Sequence, residues 1–182
     1  MRLLSICAFA LVCFTLGCQS KLPDSWKTTN NETINLKGKN KAFMWLAPDC
    51  PLCQTYSSEF IALNGSYNSE ISFYGVIPGN HYNTNEISHF QDSFDFDLPI
   101  LLDEYFSMTK HYKVKVTPEF LLVDANDKVL YRGKFDDWAT DLGQKKIQPS
   151  EFYFKNALQA FRDGSPVSPS FVEPIGCIIE ID

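Results

Sequence analysis

Residues 47–54 read "APDCPLCQ", with Cys50 and Cys53 two residues apart and directly after the apolar run "KAFMWLAP". Such a pair is a redox couple, half of a metal site, or a packing coincidence. The flanking chain decides among these. On the N-terminal side, "KAFMWLA" from Lys41 is a short apolar run of the kind that forms a buried parallel strand. On the C-terminal side, "CPLCQTYSSEFIALNGSY" spaces Leu52, Tyr56, Phe60 and Leu63 as one face of a helix, and Pro51 suits its first turn. The cysteines therefore open a helix, with Cys50 as the exposed, N-terminal member. A thiol there faces unpaired backbone N–H groups and the positive end of the helix dipole, which lowers its pKa. Cys53, one turn on, is placed to attack a mixed disulfide at Cys50 and resolve it. Asp49 opposes thiolate formation at its neighbour and moderates the shift.

Outward from this junction, strands and helices alternate. "ISFYGVI" reads as a strand ending at Pro78-Gly79, and "TNEISHFQDSF" as a helix capped by Thr84 with Glu86 in its first turn. "LPILLD" is a short strand and "EYFSMTKHY" a short helix. After Thr117-Pro118, "FLLVDANDKVLYRGKF" is a pair of strands turning at Asn126-Asp127. "PSEFYFKNALQAFRDG" is an amphipathic helix started by Pro149 and Ser150, with Phe154, Leu158 and Phe161 on one face and Gly164 ending it. The tail "SPVSPSFVEPIGCIIEID" carries too many prolines to be helical over its first half. It is expected to run over the surface and return Cys177 to a specific place. No internal repeat is present.

The amino terminus, "MRLLSICAFALVCFTLGC", has one positive charge at Arg2, an apolar run from Leu3 to Leu16, and then Gly17 and Cys18. This is the pattern of an export signal. It resembles the lipobox of bacterial lipoproteins, which implies cleavage before Cys18 and a lipid anchor on that residue, although Thr15 stands where such motifs usually have Leu. Residues 1–17 are thus expected as a lipoprotein signal peptide, 18–40 as a polar tether in which "ETINL" is a candidate edge strand, 41–164 as one domain, and 165–182 as the tail. The expected location is the bacterial cell envelope, anchored to the membrane and facing the periplasm. With Cys7 and Cys13 in the leader and Cys18 lipidated, Cys50, Cys53 and Cys177 remain, an odd count in an exported chain. The chain has 182 residues, 45% of them hydrophobic, enough for one domain with a real core. Its formal net charge of -6 argues against nucleic acid as a partner.

The order of strand, cysteine pair opening a helix, strand, helix, then Thr-Pro before a hairpin and a last helix resembles the thioredoxin fold, an α/β architecture with a central mixed sheet flanked by helices. More specifically, "APDCPLCQTY", "VTPEFLLVDANDKVLYRGKFDD" and "GSPVSPSFVEPIGCII" resemble an exported, peroxiredoxin-like branch of the redoxin family, over roughly residues 41–180. The resemblance implies thiol chemistry at Cys50, and a cis bond at Thr117-Pro118 with Pro118 facing the cysteines. It also implies that the backbone of Thr117 pairs with an extended substrate chain. Thr117, Pro51 and Trp45 are expected to border that groove, Trp45 by its position near the cysteines. Many members of the branch have only the first cysteine of the pair, so Cys53 moves this chain toward thiol–disulfide oxidoreductases.

Four readings compete. The first is an oxidoreductase acting on client proteins with thiols or disulfides, supplied by a membrane electron donor or acceptor because the chain has no nucleotide or flavin motif and needs no cofactor of its own. A thiol peroxidase is the second. Peroxiredoxins resemble one another in a Pro-x-x-x-Thr-x-x-Cys loop, whereas Phe43 and Ala47 occupy the proline and threonine positions here. The third is a copper-chaperone-like protein, or a zinc site, using Cys50, Cys53, Cys177 and one of His81, His89 or His111. No second C-x-x-C or His-x-His spacing supports it, and no metal site is assigned. The fourth is a noncatalytic tethered domain whose cysteines form a static bridge. Cys177 is open among a disulfide partner of Cys50, a third ligand and a buried thiol in a closing strand, and the redox role is preferred. Asp136 and Asp137 are read as a solvated turn.

Overall fold

The computed structural model describes residues 22–181. The leader 1–17 and Cys18 lie outside these residues. A hairpin of β1 (Ser25–Lys27) and β2 (Thr33–Asn35) precedes β3 (Lys41–Trp45), α1 (Pro51–Tyr67), β4 (Ser72–Pro78), α2 (Thr84–Ser93) and β5 (Ile100–Asp103). Then come α3 (Ser107–Tyr112), β6 (Val116–Thr117), β7 (Glu119–Val123), β8 (Val129–Gly133), the short β9 (Ala139–Asp141) and β10 (Gln144–Lys145), and α4 (Tyr153–Arg162). Two tail strands close the chain, β11 (Phe171–Val172) and β12 (Cys177–Ile178).

The central sheet has the order β11-β8-β7-β3-β4-β5. Strands β3, β4 and β5 run parallel, while β7 is antiparallel to both β3 and β8. All five residues of β3 are buried, as its unbroken apolar run predicts. Side chains alternate across a strand, so β3 serves two cores. Ala42 and Met44 join Tyr56 and Phe60 of α1, Phe90 of α2 and Phe154 and Leu158 of α4 on one face. Phe43 and Trp45 join Met108 and Tyr112 of α3, with Trp26 and Leu36, on the other.

Two helix starts differ from the sequence expectation, each for a local polar reason. The cap of α2 is Asn83, one residue before Thr84: its side chain accepts from the N–H groups of Asn85 and Glu86, while Glu86 accepts from the N–H of Asn83. The last helix begins at Tyr153 rather than at Pro149, because the Asp137 carboxylate accepts from the N–H groups of Ser150 and Glu151 and holds that stretch as a turn. The candidate strand "ETINL" contains β2, which pairs with β1 in a two-stranded hairpin. Trp26 and Leu36 of that segment are buried, so residues 22–40 cover the α3 side of the sheet. At the β7–β8 turn, Asp127 adopts a left-handed φ of 63°, and the Asp124 carboxylate accepts from the N–H groups of Asn126 and Lys128. No helix among the described residues is long and apolar enough to cross a membrane.

Candidate active site

Strand β3 delivers the chain to the site. Cys50 is the N-cap of α1 with extended backbone (φ -79°, ψ 117°), and Pro51 occupies the first turn, where its missing N–H costs nothing. The helix starts with the Gln54 N–H donating to the Cys50 carbonyl. Three sulfurs meet here. Cys177 Sγ lies 3.1 Å from Cys50 Sγ. Cys53 is fully buried under Cys50 and accepts from the Ala47 N–H at 3.5 Å. When protonated, Cys50 donates to the Thr117 carbonyl at 3.3 Å.

The electrostatics separate the three thiols. The Cys50 thiol is lowered to about 5, first by the hydrogen bond from Cys53, against the cost of burial, and then by the Cys177 thiol and the N–H groups of Cys53 and Leu52. Burial and the neighbouring Cys50 sulfur push Cys53 well up. Burial pushes Cys177 up to about 11, with the Cys50 sulfur adding to it. One thiolate is thus held between two thiols that donate to it.

The expectation that Cys50 is exposed is corrected: only 2% of its surface is accessible. The reason is the tail. Strand β12 pairs antiparallel with β6, setting Cys177 opposite Thr117 and covering Cys50. The Thr117-Pro118 bond is cis, and the Thr117 carbonyl faces the Cys50 sulfur. Trp45 does not border the groove. It points to the opposite face of the sheet, fully buried, and donates from Nε1 to Thr109 Oγ1 at 2.9 Å, because odd positions of β3 face α3 while the cysteines pack with the even ones.

A cavity of 260 Å³ beside Cys50 is lined by Asp49, His81, Tyr82, Thr117 and Cys177. The Tyr82 hydroxyl donates to Asp49 at 2.5 Å. Burial and this acceptor hold the Tyr82 phenol well above its usual range. Tyr82 was not singled out in the sequence, and His81 was weighed only as a metal ligand. Their signal was the Pro78-Gly79 stop of β4, since loops at the carboxyl ends of parallel strands gather around the sites of open α/β sheets.

Asp136, read as part of a solvated turn, is instead buried at 2% exposure and accepts from the Tyr56 hydroxyl at 2.6 Å and the Trp138 N–H at 2.9 Å. It ties the strand-β8 exit to α1, one turn beyond Cys53. Asp137 holds the segment before α4 and pairs with Lys146, which with Ser150 keeps its carboxyl well below the usual range. Among the described residues, no group of three or more His, Cys, Asp or Glu is arranged to hold a metal ion. His89 lines a neighbouring cavity that shares Asp49 and Tyr82 with the one beside Cys50, and His111 lines another with Trp26 and Tyr112; no cysteine lines either.

The model of one family, Redoxin, matches residues 18–143. The chain belongs to the Redoxin family. Helix α4 and the tail with Cys177 follow the matched segment. No curated protein matches the sequence. Among solved structures, an uncharacterized conserved protein from Geobacillus kaustophilus is 21% identical, with 87% of this chain and 88% of that chain covered at a TM-score of 0.72. A hypothetical protein from Sinorhizobium meliloti is 19% identical over 85% and 88% of the two chains, with a TM-score of 0.72. A secreted Mycobacterium tuberculosis disulfide oxidoreductase homologous to E. coli DsbE is 15% identical over 75% of this chain and 94% of its own, with a TM-score of 0.54. These likenesses show that this redoxin has the thioredoxin-like fold.

Proposed function

We propose that the protein is an exported thiol–disulfide oxidoreductase in which Cys50 attacks, Cys53 resolves and Thr117-Pro118 shapes the substrate edge. The observation that carries this reading is the asymmetric pair at the α1 N-terminus: a Cys50 thiol lowered to about 5 above a buried Cys53 whose thiol is pushed up. Attack by the Cys50 thiolate breaks the client disulfide, releases one client sulfur as a thiolate that takes up a proton, and leaves Cys50 in a mixed disulfide with the other. The Cys50 charge, which adds to the effect of burial on Cys53, is then gone, so Cys53 loses its proton more readily, attacks Cys50 Sγ and releases the second client sulfur as a thiol. The secreted disulfide oxidoreductase among the structural relatives fits an extracytoplasmic role. The leader and Cys18 fit a lipid anchor facing the periplasm, with electrons exchanged through a membrane donor or acceptor. Nothing in the site favours the peroxidase reading: Phe43 is buried among the α3-side residues, away from the cysteines, and Ala47 carries no hydroxyl for a peroxide.

The test is turnover of a peptide disulfide with dithiothreitol as donor. Cys50→Ser is expected to reduce the rate to background, and the double variant Cys53→Ser/Cys177→Ser to accumulate the mixed disulfide. Full turnover by Cys50→Ser would contradict the assignment.

A further inference from the structure

The tail is fastened to the domain at two places. At the first, β11 runs parallel to β8, the N–H groups of Arg132 and Lys134 donate to the carbonyls of Ser170 and Val172, and Arg132 stacks on Phe171 at 4.7 Å. At the second, β12 lies on the edge of β6, and the Ile179 N–H donates to the Lys115 carbonyl at 2.9 Å. Gly176 passes so close that a Cβ would stand 2.3 Å from the Thr117 carbonyl oxygen. Only "EPIG", residues 173–176, joins the two fastenings. The second fastening fills the edge that Thr117 offers to an extended chain, and it carries Cys177 to 3.1 Å from Cys50 Sγ.

Resting on the reading of Cys50 and Cys53 as a redox pair, we propose that Cys177 is the third thiol of the exchange system and that residues 173–181 are a tethered occupant of the substrate edge. From the Cys50–Cys53 disulfide, Cys177 gives up its proton and its sulfur attacks Cys50 Sγ. The Cys50–Cys177 bond forms, the Cys50–Cys53 bond breaks, and Cys53 leaves as a thiolate that takes up a proton. One disulfide is present before and after, so no outside oxidant enters the step. In the bridged form the tail is covalently fixed on β6 and polypeptide clients are shut out. Attack by Cys53 on Cys50 reverses the step, frees Cys177 and leaves the tail held only by the hydrogen bonds of β12. Cys50 is thereby shared between an inner partner and an outer one, and the outer one controls access.

The experiment is oxidation of the reduced full chain with glutathione disulfide, an acid quench and peptide mapping of Cys50, Cys53 and Cys177. Wild type is expected to yield both Cys50–Cys53 and Cys50–Cys177, and Cys53→Ser to yield Cys50–Cys177 as its main product. Cys53→Ser protein that instead keeps glutathione on Cys50 with Cys177 as a free thiol overturns the proposal. Gly176→Ala retains every sulfur while the added Cβ forces β12 off β6. It is expected to lose Cys50–Cys177 and to raise the rate of Cys50 modification by a bulky maleimide about fivefold or more, the factor equivalent to the lower end of an overpacking penalty. An unchanged disulfide distribution and an unchanged maleimide rate in Gly176→Ala overturn the occupancy claim. Cys177→Ser separates the two readings. If it still forms and breaks Cys50–Cys53 while Cys53→Ser never forms Cys50–Cys177, the third-thiol proposal alone fails. If Cys50–Cys53 is never found in any variant, the redox-pair reading fails with it.

Discussion

Cys50 owes its acidity to its neighbours more than to its place at the helix start, since the hydrogen bond from Cys53 is the largest cause of the lowered pKa. Iodoacetamide alkylation of Cys50 in the reduced protein is therefore expected to rise with pH around a midpoint near 5, where a free thiol titrates at about 8.5. In Cys53→Ala the midpoint is expected to move up toward the free-thiol value, and an unmoved midpoint would remove Cys53 from that role. The same shift predicts a stability profile for the reduced protein. Below pH 5 both folded and unfolded Cys50 are protonated and contribute no difference; between about 5 and 8.5 only the unfolded state still holds the proton, so stability rises with pH. Above that window Cys53 and Cys177, whose folded pKa values are raised, stay protonated while their unfolded forms ionise, and stability falls again. Denaturant titrations at a series of pH values under reducing conditions are expected to peak near pH 8 to 9. A profile that falls steadily from pH 5 upward would contradict the thiolate assignment.

Strand β3 and helix α1 were readable from apolar runs and from the cysteine pair itself, because each element's burial pattern is written in its own residues. Partnerships between distant residues were not readable that way. Tyr56 looked like one more apolar position on the face of α1, yet its hydroxyl satisfies Asp136 eighty positions away. Tyr56→Phe is expected to cost about 1–3 kcal/mol, as it leaves a buried carboxylate short of one donor. Trp45 was misplaced for a related reason: proximity in sequence to Cys50 says nothing about which face of the sheet a strand residue takes, and alternation sends it to the α3 side. The "TPE" and "YRG" segments are joined the same way. Glu119 is buried at 1% exposure and paired with Arg132 at 3.2 Å, and the Arg132 guanidinium also donates to the carbonyls of Tyr112 and Lys113. Arg132→Ala is expected to destabilise by about 3–5 kcal/mol because it strands that carboxylate in the interior. Arg132→Lys is expected to recover little of the loss, because an ammonium lacks the planar fork that meets all three acceptors. Chemical denaturation measures both effects.

At the scale of the whole molecule, the proposed lipid anchor predicts that Cys18→Ala moves the protein from the membrane fraction to the soluble envelope fraction. The C-terminal segment returns to the cysteines, which its prolines allowed and its composition alone did not specify. The route depends on backbone approaches that only glycine permits, at Gly176 against Thr117 and at Gly133, where φ is 143° and a Cβ would meet the Val172 carbonyl oxygen at 1.9 Å. The domain thus presents one activated sulfur, one buried sulfur beneath it and one carried on the tail. The first measurement to make is an equilibrium redox titration of the full chain in glutathione buffers, read by acid-quenched alkylation and peptide mapping of each cysteine. A Cys50–Cys53 disulfide that appears and disappears as one two-electron step, with a slope of about 30 mV per decade, is the predicted result. Cys50 accumulating as a glutathione adduct while Cys53 remains a thiol at every potential would contradict it.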